Sequence, residues 1–194
     1  KKSRAAVCQS NMKQAYTSIV TYSLGNNGQF PPTWSSLDDG SHRSWHDYAQ
    51  TMDSSFDFAQ PGHNPVLTQA WETKSALICP EASESYIEAT TGRDHTFHPY
   101  ASYSISEYFG YVPSDSTDKP YYFSKIKHTA ILLAEAEASA HLLGQNKADP
   151  FNRGIQLRHL QKANYTFTDG HIEASSTYHI QDWDALPWNP DSEY

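Results

Sequence analysis

Residues 3–24, SRAAVCQSNMKQAYTSIVTYSL, constrain the fold more than any other stretch. Ala5, Cys8, Met12, Ala15, Ile19 and Tyr22 recur at alternating three- and four-residue steps, which places them on one stripe of an α-helix. Ser10, Lys13, Gln14 and Ser18 fall on the opposite face. GNNG at 25–28 stops the helix, because Gly and Asn tolerate left-handed backbone, and Pro31-Pro32 prevents its resumption. A helix with a single apolar stripe must cover that stripe with another element. A sheet is the expected partner.

The sheet is read from the second half of the chain. TAILLAEA at 129–136 has the apolar density of a buried strand, and ASYSISEYFGY at 101–111 alternates imperfectly, as a strand would. GIQLRH and NYTFT read as two arms of a hairpin around a four-residue loop, LQKA. Asp169-Gly170 then predicts a two-residue type I′ turn, in which both central residues take positive φ, and HIEAS follows as a further strand. Residues 42–52, HRSWHDYAQTM, suggest a second short helix with Trp45, Tyr48, Ala49 and Met52 on one face. The expected class is α+β: a long N-terminal amphipathic helix on an antiparallel meander, with loop-rich insertions. At 194 residues the chain fits one domain, with the helix in 1–24, a loop-rich middle in 25–143, and the meander and tail in 144–194.

Composition narrows the function. Lys and Arg number 14 against 22 Asp and Glu, and apart from the KKSR start the basic residues are scattered. A nucleic-acid interface needs a basic face, so this class is excluded as an expectation. There is no apolar run of 18 residues to span a bilayer and no signal peptide, and the abrupt start without an initiator Met reads as a segment of something longer. The 13 Tyr and 5 Trp suit a thin core with half-buried surface, and equally a sugar-stacking platform. Cys8 and Cys79 cannot form a four-thiolate zinc site by themselves. They are either two buried thiols or a disulfide, which would close a loop of about 70 residues and contribute roughly 4 kcal/mol in the chain-entropy model.

RHLQKANYTFTDGH at 158–171 is the most distinctive stretch. His159, Asp169 and His171 are acceptable transition-metal ligand types. In a plain hairpin, however, His159 faces Asn164, and at about 3.3 Å per residue Asp169 lies roughly 16 Å further on. The two are therefore read as separate anchors: Asp169-Gly170 makes a turn, His159 ends an arm, and Tyr165 and Phe167 share a face that buries against the helix. Other constellations are weaker. His42 and His46 stand four apart on the suggested second helix, as an exposed polar face. Glu135 and Glu137 would share a strand face, but an acid/base pair needs a cleft. Asp182, Asp184, Asp191 and Glu193 offer oxygen atoms to calcium without the spacing of an EF-hand. No G-x-S-x-G, P-loop or G-x-G-x-x-G is present.

Two segments carry a family resemblance. Cys8, Asn11-Met12-Lys13-Gln14, Tyr22, Asn26-Asn27-Gly28, Phe30 and Pro31-Pro32 resemble the segment that follows the membrane helix in bacterial type IV pilin-like proteins with a prepilin-type cleavage/methylation N-terminus and an H-X9-DG domain. Arg158, His159, Ala163-Asn164, Phe167 and Asp169-Gly170-His171 resemble the other hallmark of that group, and Cys79-Pro80 and KIKHTAILLAEA resemble further landmarks. The resemblance implies a non-enzymatic filament or pseudopilus subunit, with a leader, a prepilin-peptidase site and an apolar half-helix upstream. It also implies sister subunits and the inner membrane as partners, and a head in the periplasm or on an extracellular filament. It implies as well a structural disulfide, Cys8–Cys79, tying the helix to the head. It names no catalytic residue and no cofactor, and calcium stays open. A polysaccharide-binding module on the same scaffold is the alternative, and a hydrolase using Glu135 or His159 is a third expectation.

Overall fold

The computed structural model describes residues 2–32, 34–36, 42–45, 76, 79–81, 102–106, 109, 120–127, 129–135 and 155–176. The helix α1 spans Lys2–Gly25. A short antiparallel hairpin pairs β1, Trp34–Ser36, with β2, His42–Ser44. The main sheet is antiparallel and four-stranded, in the order β3 (Tyr103–Ile105), β4 (Ile131–Glu135), β5 (Ala163–Phe167), β6 (Ile172–Ser175). The α+β arrangement, the long first helix and strands within four of the anticipated segments are as the sequence suggested.

The α1 seam buries Cys8, Met12, Ala15 and Ile19 completely, and burying side chains such as Met12 and Ile19 contributes about 1.5–3 kcal/mol each. Asn11, Ser18 and Ser23 are buried beside them, so Ser18 belongs to the covered arc, contrary to its expected outward face. The covered arc is wider than the apolar stripe because small polar residues along its edge let the sheet approach. Asn26 and Gly28 N–H groups both donate to Ser23 O, with Asn27 (φ 56°) and Gly28 (φ 81°) left-handed, which ends the helix as GNNG suggested. The chain then places Phe30 against Phe109 and Phe123, with ring centroids 5.0 and 4.0 Å away, and closes the lower core.

Register decides which residues face α1. Tyr103 lies opposite Glu135 and Ile105 opposite Leu133, and directly opposed residues project from the same face. Asn164 contacts both Glu135 and Gln9 of α1, so Asn164 and Thr166 share that face. Alternation turns Ala163, Tyr165 and Phe167 to the other side, where they are buried together with Ile131 and Ala134. Tyr165 and Phe167 therefore do share a face, but it is the face away from the helix. The parity follows from Asn164, whose side chain the Glu135 carboxylate draws toward α1.

Both turns differ from expectation. His159 and Lys162 exchange N–H···O bonds of 2.9 and 3.0 Å across Leu160 and Gln161, whose φ values are 53° and 61°. This is the two-residue type I′ geometry, so the loop is not four residues long and His159 faces Lys162 instead of Asn164. The segment before it is not a regular strand arm: residues 158–160 turn, and Gln156 N–H donates to Glu135 O. The Asp-Gly turn is a three-residue connection, Thr168-Asp169-Gly170. Gly170 N–H donates to Phe167 O at 2.8 Å, Phe167 N–H donates to His171 O at 3.0 Å, and only Gly170 is left-handed, at φ 83°. A type I turn followed by a left-handed glycine matches the strand twist without requiring positive φ at Asp169. The expected helix over 42–52 is corrected at its start only, since Trp45 is helical. Residues 42–44 form β2, paired through Arg43 with Ser35, and 46–52 lie outside the described residues.

The Asp-Gly turn docks on α1. Lys13 Nζ donates to Gly170 O at 2.7 Å and Tyr16 O–H donates to Thr168 O at 3.0 Å. A Cβ on Gly170 would sit 2.6 Å from the Tyr16 ring, at a φ that L side chains rarely adopt. Gly170→Ala is expected to destabilise the protein by about 2–4 kcal/mol, from left-handed strain and overpacking together, measured by denaturant unfolding. Asp169 Oδ1 accepts from the His171 backbone N–H at 3.0 Å and lies 2.6 Å from His171 Nδ1. Slight burial pushes the Asp169 carboxyl up, but the bonds from His171 outweigh it and hold the group below its usual range. A depressed carboxyl adds stability above its unfolded pKa and loses it as pH falls through the folded value. The stability gap between the wild type and Asp169→Asn is accordingly expected near neutrality and should close under acid, as read from unfolding midpoints across pH.

Candidate functional site

At the opposite end of β5, four segments converge on one carboxylate. Glu135 closes β4, at the end of the apolar run ILLAE, and is fully buried. Its Oε2 accepts the Asn164 N–H at 2.8 Å, and its Oε1 accepts the Asn164 Nδ2–H at 3.1 Å. The same Oε1 lies 2.9 Å from His159 Nε2 and accepts the Cys8 S–H, while Cys79 Sγ stands 3.9 Å away. Cys79 Sγ is in turn 3.4 Å from His159 Nε2. One ligand atom from each of Cys8, Cys79, Glu135 and His159 lies within 4.8 Å of all the others, and all four residues are buried.

Each member is placed by a separate device. Cys8 rides on the covered seam of α1. The segment Cys79-Pro80-Glu81 lies against the start of the helix, where Arg4 approaches Glu81 at 3.6 Å, a surface pair worth about 0–1 kcal/mol. The type I′ turn at Leu160-Gln161 holds His159 at the strand end. A further ring of donors surrounds the cluster: Tyr103 O–H reaches Cys8 Sγ at 3.0 Å, Gln9 Nε2 holds Asn164 Oδ1 at 3.0 Å, and Arg158 Nη1 donates to Ser102 O at 3.1 Å.

Proton placement follows from these contacts. The Glu135 hydrogen bond raises the pKa of His159, with burial opposing it. Burial pushes the Cys8 thiol far up, whereas the neighbouring Cys8 side chain brings Cys79 down to about 7 against the effect of its own burial. Burial likewise keeps the Tyr103 phenol protonated, hence a donor. The cluster is an imidazole and a carboxylate in contact with one reluctant and one acidic thiol. Such a set can share protons, form a disulfide if an oxidant removes two electrons, or lose its protons to solvent as a cation binds.

Several sequence-derived expectations meet here. Cys8 and Cys79, paired by the resemblance, are brought together; both are thiols, and a bond would need their sulfurs about 2.05 Å apart. His159 and Asp169 serve separate ends of β5: the first joins Glu135 and the second bonds His171. His171 stacks on Phe167 at 4.1 Å, outside the cluster. Glu135 does find a histidine, but Glu137, His46 and the acidic tail residues Asp182, Asp184, Asp191 and Glu193 lie outside the described residues. The Glu135–His159 contact, 24 positions apart, was not anticipated. One signal for it was available, namely a single carboxylate closing an otherwise apolar strand.

Comparison with protein-family models, curated proteins and solved structures finds no match. Among the described residues, no helix is long and apolar enough to cross a membrane.

Removing the Glu135 carboxylate would strand the Asn164 N–H and the His159 ring in a dry interior. Glu135→Ala is expected to cost about 3–5 kcal/mol in denaturant unfolding. Ser124→Ala, on an exposed position, should stay within about 0.5 kcal/mol of the wild type.

Proposed function

We propose that this chain is the globular head of a pilin-like structural subunit, non-enzymatic, belonging to a type IV pilus-like filament or a type II secretion-like pseudopilus. The observation that carries the reading is the closed seam of α1 along a four-stranded antiparallel sheet, with Cys8, Met12, Ala15 and Ile19 fully buried while Val7 is 47% exposed. A helix locked to its head on one side and open on another has the mechanical layout a filament subunit needs. It can pass load from a bundled helical core to a rigid surface domain.

In this reading α1 continues upstream as an apolar helix. That segment would engage the inner membrane and sister subunits, a prepilin peptidase would process the precursor, and the head would stand in the periplasm or on the filament surface. The H-X9-DG positions are structural. His159 ties the start of β5 to the helix through Glu135, and Asp169-Gly170 ties its end through Lys13 and Tyr16. Among the described residues, Trp45, Tyr103 and Tyr165 are buried and Tyr16, Tyr22, Tyr121 and Tyr122 are half-buried, which supports a scaffold over an exposed sugar platform.

The test is cellular. The full-length gene product, followed with an antibody to the head, should appear in sheared surface filaments or the isolated pseudopilus. It should leave that fraction when the prepilin peptidase is deleted. Recovery of unprocessed protein from the cytosol alone would refute the assignment.

A further inference from the structure

We propose that Cys8, Cys79, Glu135 and His159 form a tetrahedral site for a zinc-class divalent cation, which would act as a structural pin between α1, the Cys79-Pro80 segment and the sheet. The donor set is two sulfurs, one imidazole nitrogen and one carboxylate oxygen, all buried and all within 4.8 Å of one another. Zinc bonds of about 2.0–2.3 Å place tetrahedral ligands about 3.3–3.8 Å apart. The separations of 3.4 Å from Cys79 Sγ to His159 Nε2 and 3.9 Å from Cys79 Sγ to Glu135 Oε1 are already near that edge length. The His159–Glu135 contact at 2.9 Å and the still closer Cys8–Glu135 contact would have to open to that edge length as the cation replaced their shared protons.

Charge argues the same way. Three of the four residues are anionic when ionised, and a dry interior tolerates such a set only if protons or a cation neutralise it. A divalent cation with two thiolates, one carboxylate and a neutral imidazole carries a net single negative charge. Arg158, beside His159 in the chain and held by Ser102 O, brings a positive charge near the cluster. A disulfide would engage the cysteines alone and leave Glu135 and His159 with their clamping contact only, whereas a cation engages all four residues.

The surrounding groups suit ligands of this kind. Asn164 fixes the carboxylate with its N–H and its amide, and Gln9 orients that amide. Tyr103 O–H points at Cys8 Sγ, a donor for a thiolate. Such outer contacts orient ligands and tune metal affinity. The two sulfurs select against calcium and magnesium, which take oxygen ligands. The calcium expectation, placed on the acidic tail, concerns different residues.

Binding exchanges protons and leaves oxidation states unchanged: two thiols lose H⁺ to solvent, the imidazole loses its H⁺ where protonated, and no electron moves. The test uses purified head, reduced and stripped with chelator, then titrated with zinc or with cobalt(II). The expected result is one cation per chain, with cobalt–thiolate charge-transfer absorption and tetrahedral d–d bands. Thermal unfolding should rise with zinc and fall with chelator. Tyr103→Phe keeps the fold but removes one outer donor, and should weaken binding by about 10-fold or more. Cys79→Ala should abolish the charge-transfer band or, if it fails to fold, the Tyr103→Phe shift carries the test. Reduced, folded protein that takes up no cobalt and whose unfolding ignores zinc overturns the site. So does cobalt uptake with no thiolate band. Because the readouts are made on the isolated head, their failure leaves the filament reading standing, and the converse holds.

Discussion

A buried carboxylate organises this molecule. Glu135 sits at the end of an otherwise apolar strand, and a carboxyl group there is tolerated only if nearly every polar atom has a partner. Its partners come from α1, from the turn before β5 and from the backbone of β5 itself. The carboxylate thus fixes three independent geometries at once: the rotation of the helix about its axis, the parity of β5 and the orientation of His159. If Asn164 turned to the other face, the helix-facing layer of the sheet would lose its polar centre, and Tyr165 and Phe167 would be driven into the seam.

The second fixing point lies further along β5. From Gln9 to Tyr16 the helix rises about 10 Å, and from Asn164 to Thr168 an extended strand advances about 13 Å. Helix and strand therefore run nearly side by side, clamped by Gln9 and Cys8 at one end and by Lys13 and Tyr16 at the other. The nine residues between His159 and Asp169 measure the span between two clamps. The spacing is a length requirement set by the helix, which explains why His159 and Asp169 need not touch.

In the proposed filament head, a doubly clamped helix and the proposed cation at one clamp would serve the same mechanical end. A filament head must resist rotation of its helix relative to its sheet. Apolar seams resist separation well but sliding poorly, because their contacts are non-directional. Directional bonds at the ends supply the missing resistance, and a four-ligand metal site would be the stiffest of them. Its ligands would come from elements that share little sequence proximity: Cys8 and Glu135 are 127 positions apart, and Cys79 and Glu135 are 56 apart.

Local pattern in the chain was enough for the elements whose causes are local. The stripe of α1 shows in the three- and four-residue recurrence, GNNG stops the helix through left-handed backbone, and β4 and β6 follow from apolar density and the Asp-Gly signal. Near misses were local competitions as well. Leu160-Gln161 took the type I′ turn although neither is Gly or Asn, because exchanging bonds between His159 and Lys162 sets His159 beside Glu135. Likewise 42–44 paired with 34–36 when their composition also suited a helix. Beyond the Cys8–Cys79 pairing implied by the resemblance, the site depended on tertiary structure. Nothing in Cys8, Cys79, Glu135 or His159 taken singly announces the others, since a ligand set is defined by distance in space and the chain encodes that distance only through the packing of α1 on the sheet. The sequence determined that a one-striped helix must find a sheet; the folded contacts decided that two thiols, a carboxylate and an imidazole would meet where it did, because only there does the buried Glu135 find enough partners to remain buried.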